Sequence, residues 1–254
     1  MNPPPDYTQP SPVEPAPEQP VVPKSTWQPR VTQVILGITI LVYLLQMGTQ
    51  YLLGLDYPEM LGVKVNDLIV QGQLWRLLTP MLLHGSILHI GFNMYALYAI
   101  GPGLERYYGR ARYLALYILA GFAGNVMSFL ISPQNSLGAS TAIFGLLGAE
   151  GVFLYLNRQI FGKAAQRALS NVVMIAVVNL LLGLSPGIDN WGHVGGLIGG
   201  VLFAWFAGPL FRVEPGLYQV NLVDEHDSGD ALRAGLSVAL LFAILAGLKI
   251  FLGF

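Results

Sequence analysis

The sequence predicts an all-α membrane protein with several spans, and three observations support this prediction. Of the 254 residues, 54% belong to the hydrophobic set and only 11% are charged, against roughly 25% in ordinary soluble domains. The apolar residues gather into blocks, and crossing a hydrocarbon core takes about 20 helical residues. Basic residues concentrate in alternate loops between the blocks. A polytopic helical protein accounts for all three observations.

Seven apolar blocks define the predicted spans. They cover, in chain order, about residues 31–54, 87–103, 112–132, 138–157, 168–185, 190–211 and 231–253. The ends of the second and fifth blocks are the least sharply marked. A polar outer loop of about residues 55–86 separates the first two spans.

The first 30 residues have a different composition. They contain ten of the 17 prolines and no apolar h-region. Repeated prolines block both helix and sheet, so residues 1–30 are predicted to be a disordered, extended tail and not a cleavable signal peptide. A solvated linker is the simplest interpretation of this tail, and a docking segment is the alternative.

The distribution of basic residues predicts the orientation. Ten lie before the first span or in the loops after the second, fourth and sixth spans, and all ten fall on one side: Lys24, Arg30, Arg106, Arg110, Arg112, Arg158, Lys163, Arg167, Arg212 and Arg233. The other side has only Lys64, Arg76 and Lys249, the last near the chain end where its stem can snorkel. The positive-inside rule therefore predicts a cytoplasmic amino terminus and an external carboxyl terminus.

Composition also bears on the possible partners and chemistry. A net charge of −1 gives no reason to expect nucleic acid as a partner. The chain has no cysteine, which excludes disulfides, thiolate nucleophiles and thiolate metal sites.

Polar side chains occur at one depth in three predicted spans. With the predicted orientation, the second, fourth and sixth spans all run inward, and their first turns hold His89 and Asn93, then Ser140, then His193. Singly, each residue is compatible with a purely structural role, because an intramembrane Ser commonly bonds a carbonyl one turn back and an Asn or His bridges helices. Four such residues at one depth favour a functional site.

The spacing of these residues indicates acyl transfer. Asn93 follows His89 by four residues, so both lie on one helix face and can direct donors at a single oxygen. Ser140 begins a helix, so its amide N–H has no partner within that helix. A nucleophile at Ser140, a base at His193 and three donors are the parts that acyl transfer needs. Asp189 is predicted to cap the sixth span.

Small residues predict close packing of the fourth and sixth spans. They are Gly145 and Gly148 in the fourth span and Gly192, Gly196 and Gly200 in the sixth. Such spacing lets helices approach closely in lipid, which would bring His193 within hydrogen-bonding reach of Ser140. Phe144, one turn beyond Ser140, could then lie against the imidazole; a lipid-facing or core position is the alternative.

Four segments together resemble the rhomboid family of intramembrane serine proteases. They are "WRLLTPMLLHGSILHIGFN", "GLERYYG", "GASTAIFG" and "GHVGGLIGG", in the family's order and spacing over about residues 31–210. The resemblance implies a six-helix bundle whose Ser-His dyad opens to the outer face and cleaves transmembrane or membrane-adjacent segments of other proteins. It also implies that residues 31–211 form the protease domain, 212–230 a cytoplasmic loop, and 231–254 an additional C-terminal transmembrane helix.

The resemblance assigns roles to individual residues. It implies that Ser140, in the GxSx motif with Gly138, is the nucleophile and that His193 is the general base. His89, Asn93 and the Ser140 amide would form the oxyanion hole. Gly196 and Gly200 complete the pattern after the histidine, and Trp75 and Arg76 match the Trp-Arg pair of the first outer loop. Thr141 stands where many members have glycine, and Phe144 where some have tyrosine.

Other functions give different expectations. A rhomboid-like protein that only binds or escorts membrane helices would not need both Ser140 and His193. A transporter or channel would carry polar residues along a whole path, whereas here they stop at one depth apart from Glu150, which lies about 15 Å from Ser140 along a helix. Haem or metal on His89 and His193 is a further alternative.

The segment "VDEHDSGD", residues 223–230, is predicted to be a solvated loop, with a metal site as its alternative. The full sequence predicts a protease without cofactor or metal, and we expect it in the plasma membrane. Its partners would be transmembrane substrates and the lipid bilayer. The sequence carries no signal for an oligomeric state.

Overall fold

The computed structural model describes residues 27–215 and 220–253. Over those residues the chain forms nine α-helices and one two-stranded antiparallel sheet. The helices are α1 (Arg30–Leu53), α2 (Tyr57–Gly62), α3 (Asn66–Val70), α4 (Ile87–Tyr108), α5 (Arg110–Ile131), α6 (Ser140–Leu156), α7 (Arg158–Leu182), α8 (Asn190–Ala207) and α9 (Ser228–Leu252). The strands are β1 (Phe211–Pro215) and β2 (Val220–Asp224), and 3-10 turns cover Leu74–Leu77 and Thr79–Leu82.

Seven long helices match the seven predicted blocks, which confirms the all-α, polytopic fold class. In the described part of the chain, α1, α5, α7 and α9 are long and apolar enough to cross a membrane by length and composition. Helix α6 has 17 residues, while α4 and α8 carry polar residues in their first turns. The three helices with the weakest membrane signal are therefore those that carry the candidate site.

Three block ends differ from the prediction. Helix α4 continues to Tyr108 beyond Pro102, because a proline inside a helix can be accommodated although it usually marks an end. Helix α7 begins at Arg158 and bends at Gly162, whose φ is 57°. Helix α8 ends at Ala207. The apolar blocks locate each helix but do not fix the residues at which it begins and ends.

The solvated-loop prediction for residues 223–230 is wrong in part, because β1 and β2 form a hairpin in which Phe211 lies opposite Asp224. Arg112 Nη1 donates to Asp224 Oδ2 at 2.6 Å, and the His226 Nδ1–H donates to the carbonyl of Gly208 at 2.7 Å. These tertiary contacts involve residues far apart in sequence, so local composition did not reveal them. The predicted tail over 1–30 lies outside the described residues except for 27–30.

Helices α5, α6 and α8 form the centre of the bundle. Their fully buried side chains include Leu116, Ala120, Phe129, Leu146, Ala149 and Phe203. Helix α9 packs against this centre through Phe242, which is 1% exposed. Helices α1, α4 and α7 surround it, and α7 has few buried residues.

Glycines bring α6 and α8 into backbone contact. A Cβ on Gly196 would collide with the carbonyl of Thr141, and one on Gly200 would collide with the backbone of Gly145. A Cβ on Gly145 would in turn lie 3.0 Å from the carbonyl of Gly196. The two helices therefore approach as closely as the predicted small-residue stripe requires, and their first turns face each other.

Candidate active site

Ser140 lies at the start of α6, directly after a tight turn. Gly138 has a φ of +132°, which a side chain would strain. Its amide donates to the carbonyl of Pro80 at 2.9 Å. This hydrogen bond joins the turn at Gly138 to the 3-10 turn Thr79–Leu82. The Ser140 hydroxyl therefore sits on a fixed turn, and its amide is among the donors left free at a helix start.

His193 faces this serine from the first turn of α8. Its Nε2 lies 2.9 Å from Ser140 Oγ, and its side chain is largely buried. Asp189 caps α8 by accepting a hydrogen bond from the Gly192 amide at 3.1 Å through Oδ1, as expected from the sequence. With its Nε2 unprotonated, the imidazole can accept the serine proton.

Phe144 fixes the face of the imidazole. The two rings stack with centroids 4.3 Å apart and an interplanar angle of 13°. Phe144 lies four residues after Ser140 on α6. The helix that presents the Ser140 hydroxyl therefore also supports the imidazole of His193. Ser140 and His193 are thus held by two helices in backbone contact.

His89 and Asn93 approach the same point from α4. The ring of His89 packs against the Gly138 turn, with Nε2 2.7 Å from where a Cβ on Gly138 would lie. Asn93 donates one amide hydrogen from Nδ2 to the carbonyl of His89 at 3.1 Å, which leaves its second N–H for another acceptor. Both side chains can therefore supply donors beside Ser140.

A cavity of about 570 Å³ connects these groups. Its lining includes His89, Asn93, Ser140, Thr141, Asp189 and His193. Glu59 and the residues of the 134–138 segment line other parts of it. A peptide segment that entered this cavity would meet a hydroxyl, an imidazole and several hydrogen-bond donors.

Two supporting residues were not predicted as such from the sequence. Lys64, which the sequence places in the polar loop of about residues 55–86, is fully buried. Its Nζ donates to the carbonyls of Ser132 at 3.1 Å and Gln134 at 2.6 Å. Its backbone also pairs with Ser136, just before the Gly138 turn. Burial lowers the pKa of Lys64 to about 8.

His84 is the second supporting residue. It is 1% exposed, its Nε2 accepts a hydrogen bond from the Ala139 amide at 3.4 Å, and its ring meets that of His89 edge-on with centroids 5.0 Å apart. Burial lowers its pKa to about 4, so the ring is neutral and available as an acceptor. The only sequence signal was its position five residues before His89.

Three other polar residues have different relations to this arrangement. Asn179 donates to the carbonyl of Ile175 one turn back at 2.8 Å. Asn125 donates to the carbonyl of Leu77 at 3.1 Å and also lines the cavity that contains Ser140. Glu150 lines a separate cavity with Tyr107. No group of three or more His, Cys, Asp or Glu side chains suited to a metal occurs among the described residues.

Comparison with known proteins gives one consistent result. A family profile described as the rhomboid domain matches residues 71–210. The chain is 40% identical over 178 residues to the rhomboid protease GluP of Bacillus subtilis, covering 70% of this chain and 34% of GluP. It is 31% identical over 206 residues to the chloroplastic RHOMBOID-like protein 9 of Arabidopsis thaliana, covering 78% of this chain and 48% of that protein.

A third relative extends the comparison. RHOMBOID-like protein 5 of Arabidopsis thaliana is 38% identical over 175 residues, covering 67% of this chain and 55% of the relative. The chain therefore spans about a third of GluP and about half of the two plant proteins.

Proposed function

Because the chain belongs to the rhomboid family and is a multi-pass membrane protein, we propose that it is an intramembrane serine protease. Its substrates would be transmembrane or membrane-adjacent segments of other membrane proteins. The observation that carries the proposal is the 2.9 Å separation of Ser140 Oγ and His193 Nε2. We assign the protease domain to residues 31–211, with α9 as an additional span.

The first chemical step joins Ser140 to the substrate. Ser140 Oγ attacks the scissile carbonyl while His193 Nε2 takes the hydroxyl proton. The carbonyl oxygen becomes an oxyanion, to which the Ser140 amide and the side chains of His89 and Asn93 donate hydrogen bonds. His193 then gives its proton to the leaving amine, and the C–N bond breaks to leave an acyl-enzyme.

Water completes the reaction. His193 takes a proton from a water molecule, whose oxygen attacks the acyl carbon, and the second tetrahedral intermediate collapses to release the carboxylic acid and return the proton to Ser140. The cavity of about 570 Å³ supports this step, since it gives both water and substrate a place beside Ser140. The reaction needs no metal or cofactor.

Substrate preference follows from the backbone chemistry of a bilayer. A peptide bond within a helix is shielded by its own hydrogen bonds, and unwinding in lipid is costly because the freed groups find no water. We therefore expect cleavage near the outer end of single-span substrates, beside small residues and helix-weakening Gly or Pro. Replacing those residues with leucine should protect the substrate, whereas equal cleavage of an all-leucine span would contradict this preference.

Serine-directed labelling tests the proposed chemistry. The purified protein is treated with a fluorophosphonate, and the adduct is mapped by mass spectrometry. We expect the adduct on Ser140 and its loss in Ser140→Ala. An adduct on another serine, or none, would instead favour a protein that binds or escorts membrane helices. Comparing the proteomes of membranes that carry the wild type and Ser140→Ala would then identify substrates.

The orientation is tested separately with reporter fusions. From the count of ten basic residues against three, we propose a cytoplasmic amino terminus and a site open to the outer face. We also propose that the membrane is the plasma membrane. A reporter fused after residue 160 should read cytoplasmic, and one fused near Pro186 should read external. The reverse pattern would overturn this orientation.

A further inference from the structure

Three buried polar atoms around the imidazole have no hydrogen-bond partner among the residues that the structure describes. They are His193 Nδ1, Thr141 Oγ1 and Asp189 Oδ2. All three residues line the cavity that contains Ser140. Thr141 is 5% exposed and His193 is 9% exposed, so bulk water does not readily solvate their polar atoms. Leaving buried polar groups unpaired is costly, which indicates that each of these atoms has a partner.

The backbone brings these side chains together around Gly192. Asp189 lies one helical turn before His193, and Thr141 directly follows Ser140. A Cβ on Gly192 would lie 3.0 Å from Asp189 Oδ2 and 3.1 Å from Thr141 Cγ2. The carboxylate and the threonine side chain therefore flank the residue that precedes His193, and a side chain at that residue would crowd both.

The donors and acceptors are complementary. When Nε2 accepts a hydrogen bond from the Ser140 hydroxyl, the neutral imidazole carries its own proton on Nδ1 and needs an acceptor there. Asp189 Oδ2 is an acceptor, because only Oδ1 of this carboxylate is used in the helix cap. The Thr141 hydroxyl can both donate and accept. A single water molecule is typically bound by 2–4 polar groups, and these three suffice.

We propose that Asp189 and Thr141 are positioning residues for His193, acting through one shared water. The water accepts the Nδ1–H of His193 and donates to Asp189 Oδ2 and Thr141 Oγ1. This link selects the tautomer with a free Nε2 lone pair, orients the ring toward Ser140, and stabilises the imidazolium that forms during attack. It rests on the proposed protease function and extends the Ser-His pair to a water-linked Ser-His-Asp arrangement.

The proposal also gives Thr141 a role. A glycine at position 141 could not supply a hydroxyl to this site. The Thr141 hydroxyl is buried without a hydrogen-bond partner among the described residues. Asp189 and Thr141 are therefore expected to act as one unit.

Two conservative variants test the proposal by the kinetics of fluorophosphonate labelling at Ser140. Asp189→Asn retains a good helix cap but removes the charge, and Thr141→Val removes the hydroxyl at similar volume. We expect each to lower the labelling rate at saturating probe by about 10- to 100-fold, as is typical when a group that orients a functional histidine is lost. The probe concentration for half-saturation and the thermal midpoint should not change.

Further variants separate positioning from general stability. Thr141→Ser should retain most of the rate, because it keeps the hydroxyl. The combination of Asp189→Asn with Thr141→Val should be little slower than the slower single variant, since the two act through one link. Asp227→Asn changes another capping aspartate, and Thr39→Val removes another buried hydroxyl that has no partner within the described chain; neither should alter the rate.

The outcomes distinguish this proposal from the proposed function. Absence of Ser140 labelling in the wild type would overturn both. Normal labelling of the wild type together with wild-type rates in Asp189→Asn and Thr141→Val would overturn the positioning role alone. A loss of rate that follows a lowered thermal midpoint, or that Thr141→Ser does not prevent, would also overturn it, because either result indicates a packing effect.

Discussion

Helices α6 and α8 are joined far more tightly than α6 and α7, although both are pairs of neighbouring membrane helices. Backbone touches backbone in the first pair, where a Cβ on Gly196 or Gly200 would collide with α6. In the second pair, Ala165 and Val172 are the only buried residues of α7, a helix that the structure describes in full. Just 11% of the apolar stretch of α7 is buried, against 56% for α5.

The difference shows that the tighter of these two contacts is the one between the helices that carry Ser140 and His193. The proposed chemistry depends on a hydrogen bond between side chains of α6 and α8, and an error of about 1 Å in such an arrangement can cost about 10²-fold in rate. Glycine contacts fix that distance through the backbone. Helix α7 carries none of the proposed reacting groups, so its looser packing places no such demand on the sequence.

The largest expected effect comes from removing the side chains of Ser140 and His193, which α6 and α8 hold together. Ser140→Ala and His193→Ala should each abolish cleavage of a single-span model substrate, because nucleophile and base act as one unit. The double variant should be no worse than either single variant. Cleavage is measured by gel assay with purified protein in lipid vesicles.

Controls for these two variants lie away from the α6–α8 contact. Ser170→Ala removes an exposed serine of α7, and His226→Ala alters a histidine of the hairpin segment. Both should retain cleavage. Activity that survived Ser140→Ala in purified protein would contradict the assignment of the nucleophile.

The second effect tests the backbone contact directly. Gly196→Ala should destabilise the protein by about 1–3 kcal/mol through overpacking, and should lower turnover by about 10²-fold because α8 must move away from Ser140. Gly247→Ala in α9 is the matched control, since its added Cβ would meet no atom within 4 Å among the described residues beyond its chain neighbours and the adjacent backbone of α9. Unfolding in mild detergent and turnover are measured for both. Equal stability and equal turnover of the two variants would show that the α6–α8 backbone contact does not control the position of His193 relative to Ser140.

The third effect concerns the donors that α4 directs at the same point. Asn93→Ala should lower turnover by about 10²-fold or less, because two other donors remain. Asn179→Ala is a close control: each asparagine donates to the carbonyl one turn back, but only Asn93 lines the cavity. Serine labelling should persist in both variants. Unchanged cleavage in Asn93→Ala, His89→Ala and their double variant would remove these residues from the oxyanion hole.

The fourth effect concerns the buried lysine that secures the approach to Ser140. Burial lowers the pKa of Lys64 from 10.5 to about 8, so between these values the unfolded chain binds more protons than the folded one. Stability should therefore rise with pH over this window. Thermal unfolding of the wild type and of Lys64→Met is measured at about pH 7 and about pH 10. The wild type should gain stability relative to Lys64→Met at the higher pH. Lys163→Met, at an exposed position, should not differ from the wild type in its pH dependence; a parallel profile for Lys64→Met would count against the burial effect.

The sequence was sufficient to predict the helices and their class, because apolar blocks of membrane length rarely form anything except membrane-spanning helices. It was also sufficient to single out α4, α6 and α8 as the helices that carry polar first turns. Long-range contacts were not predictable. In the sequence Lys64 looks like an ordinary charged loop residue, but in the structure it donates to the carbonyls of Ser132 and Gln134. Asp224 likewise looks like a solvated carboxylate, but it accepts a hydrogen bond from Arg112.

Short elements were missed for a related reason. The outer loop contains α2 and α3, which have only 6 and 5 residues, and the hairpin strands have five residues each. Segments of this length are too short for hydrophobic periodicity to identify, and they form because tertiary contacts stabilise them. The distance between Ser140 and His193 likewise depends on helix packing and cannot be read from spacing along the chain.

The smallest expected effect concerns the loosely packed pair, α6 and α7, and is tested with two valines of α7. Val172 is 7% exposed and lies 3.6 Å from where a Cβ on Gly151 of α6 would be, whereas Val178 is 47% exposed. Val172→Ala should cost about 1 kcal/mol, because in lipid its loss is one of packing contacts and not of burial from water. Val178→Ala should stay within about 0.5 kcal/mol of the wild type. Both values come from unfolding in mild detergent, and both variants should cleave the model substrate at nearly the wild-type rate. A cost for Val172→Ala as large as that for Gly196→Ala would mean that α7 is bound as tightly as α8, and that the contrast between the two pairs of helices is not one of energy.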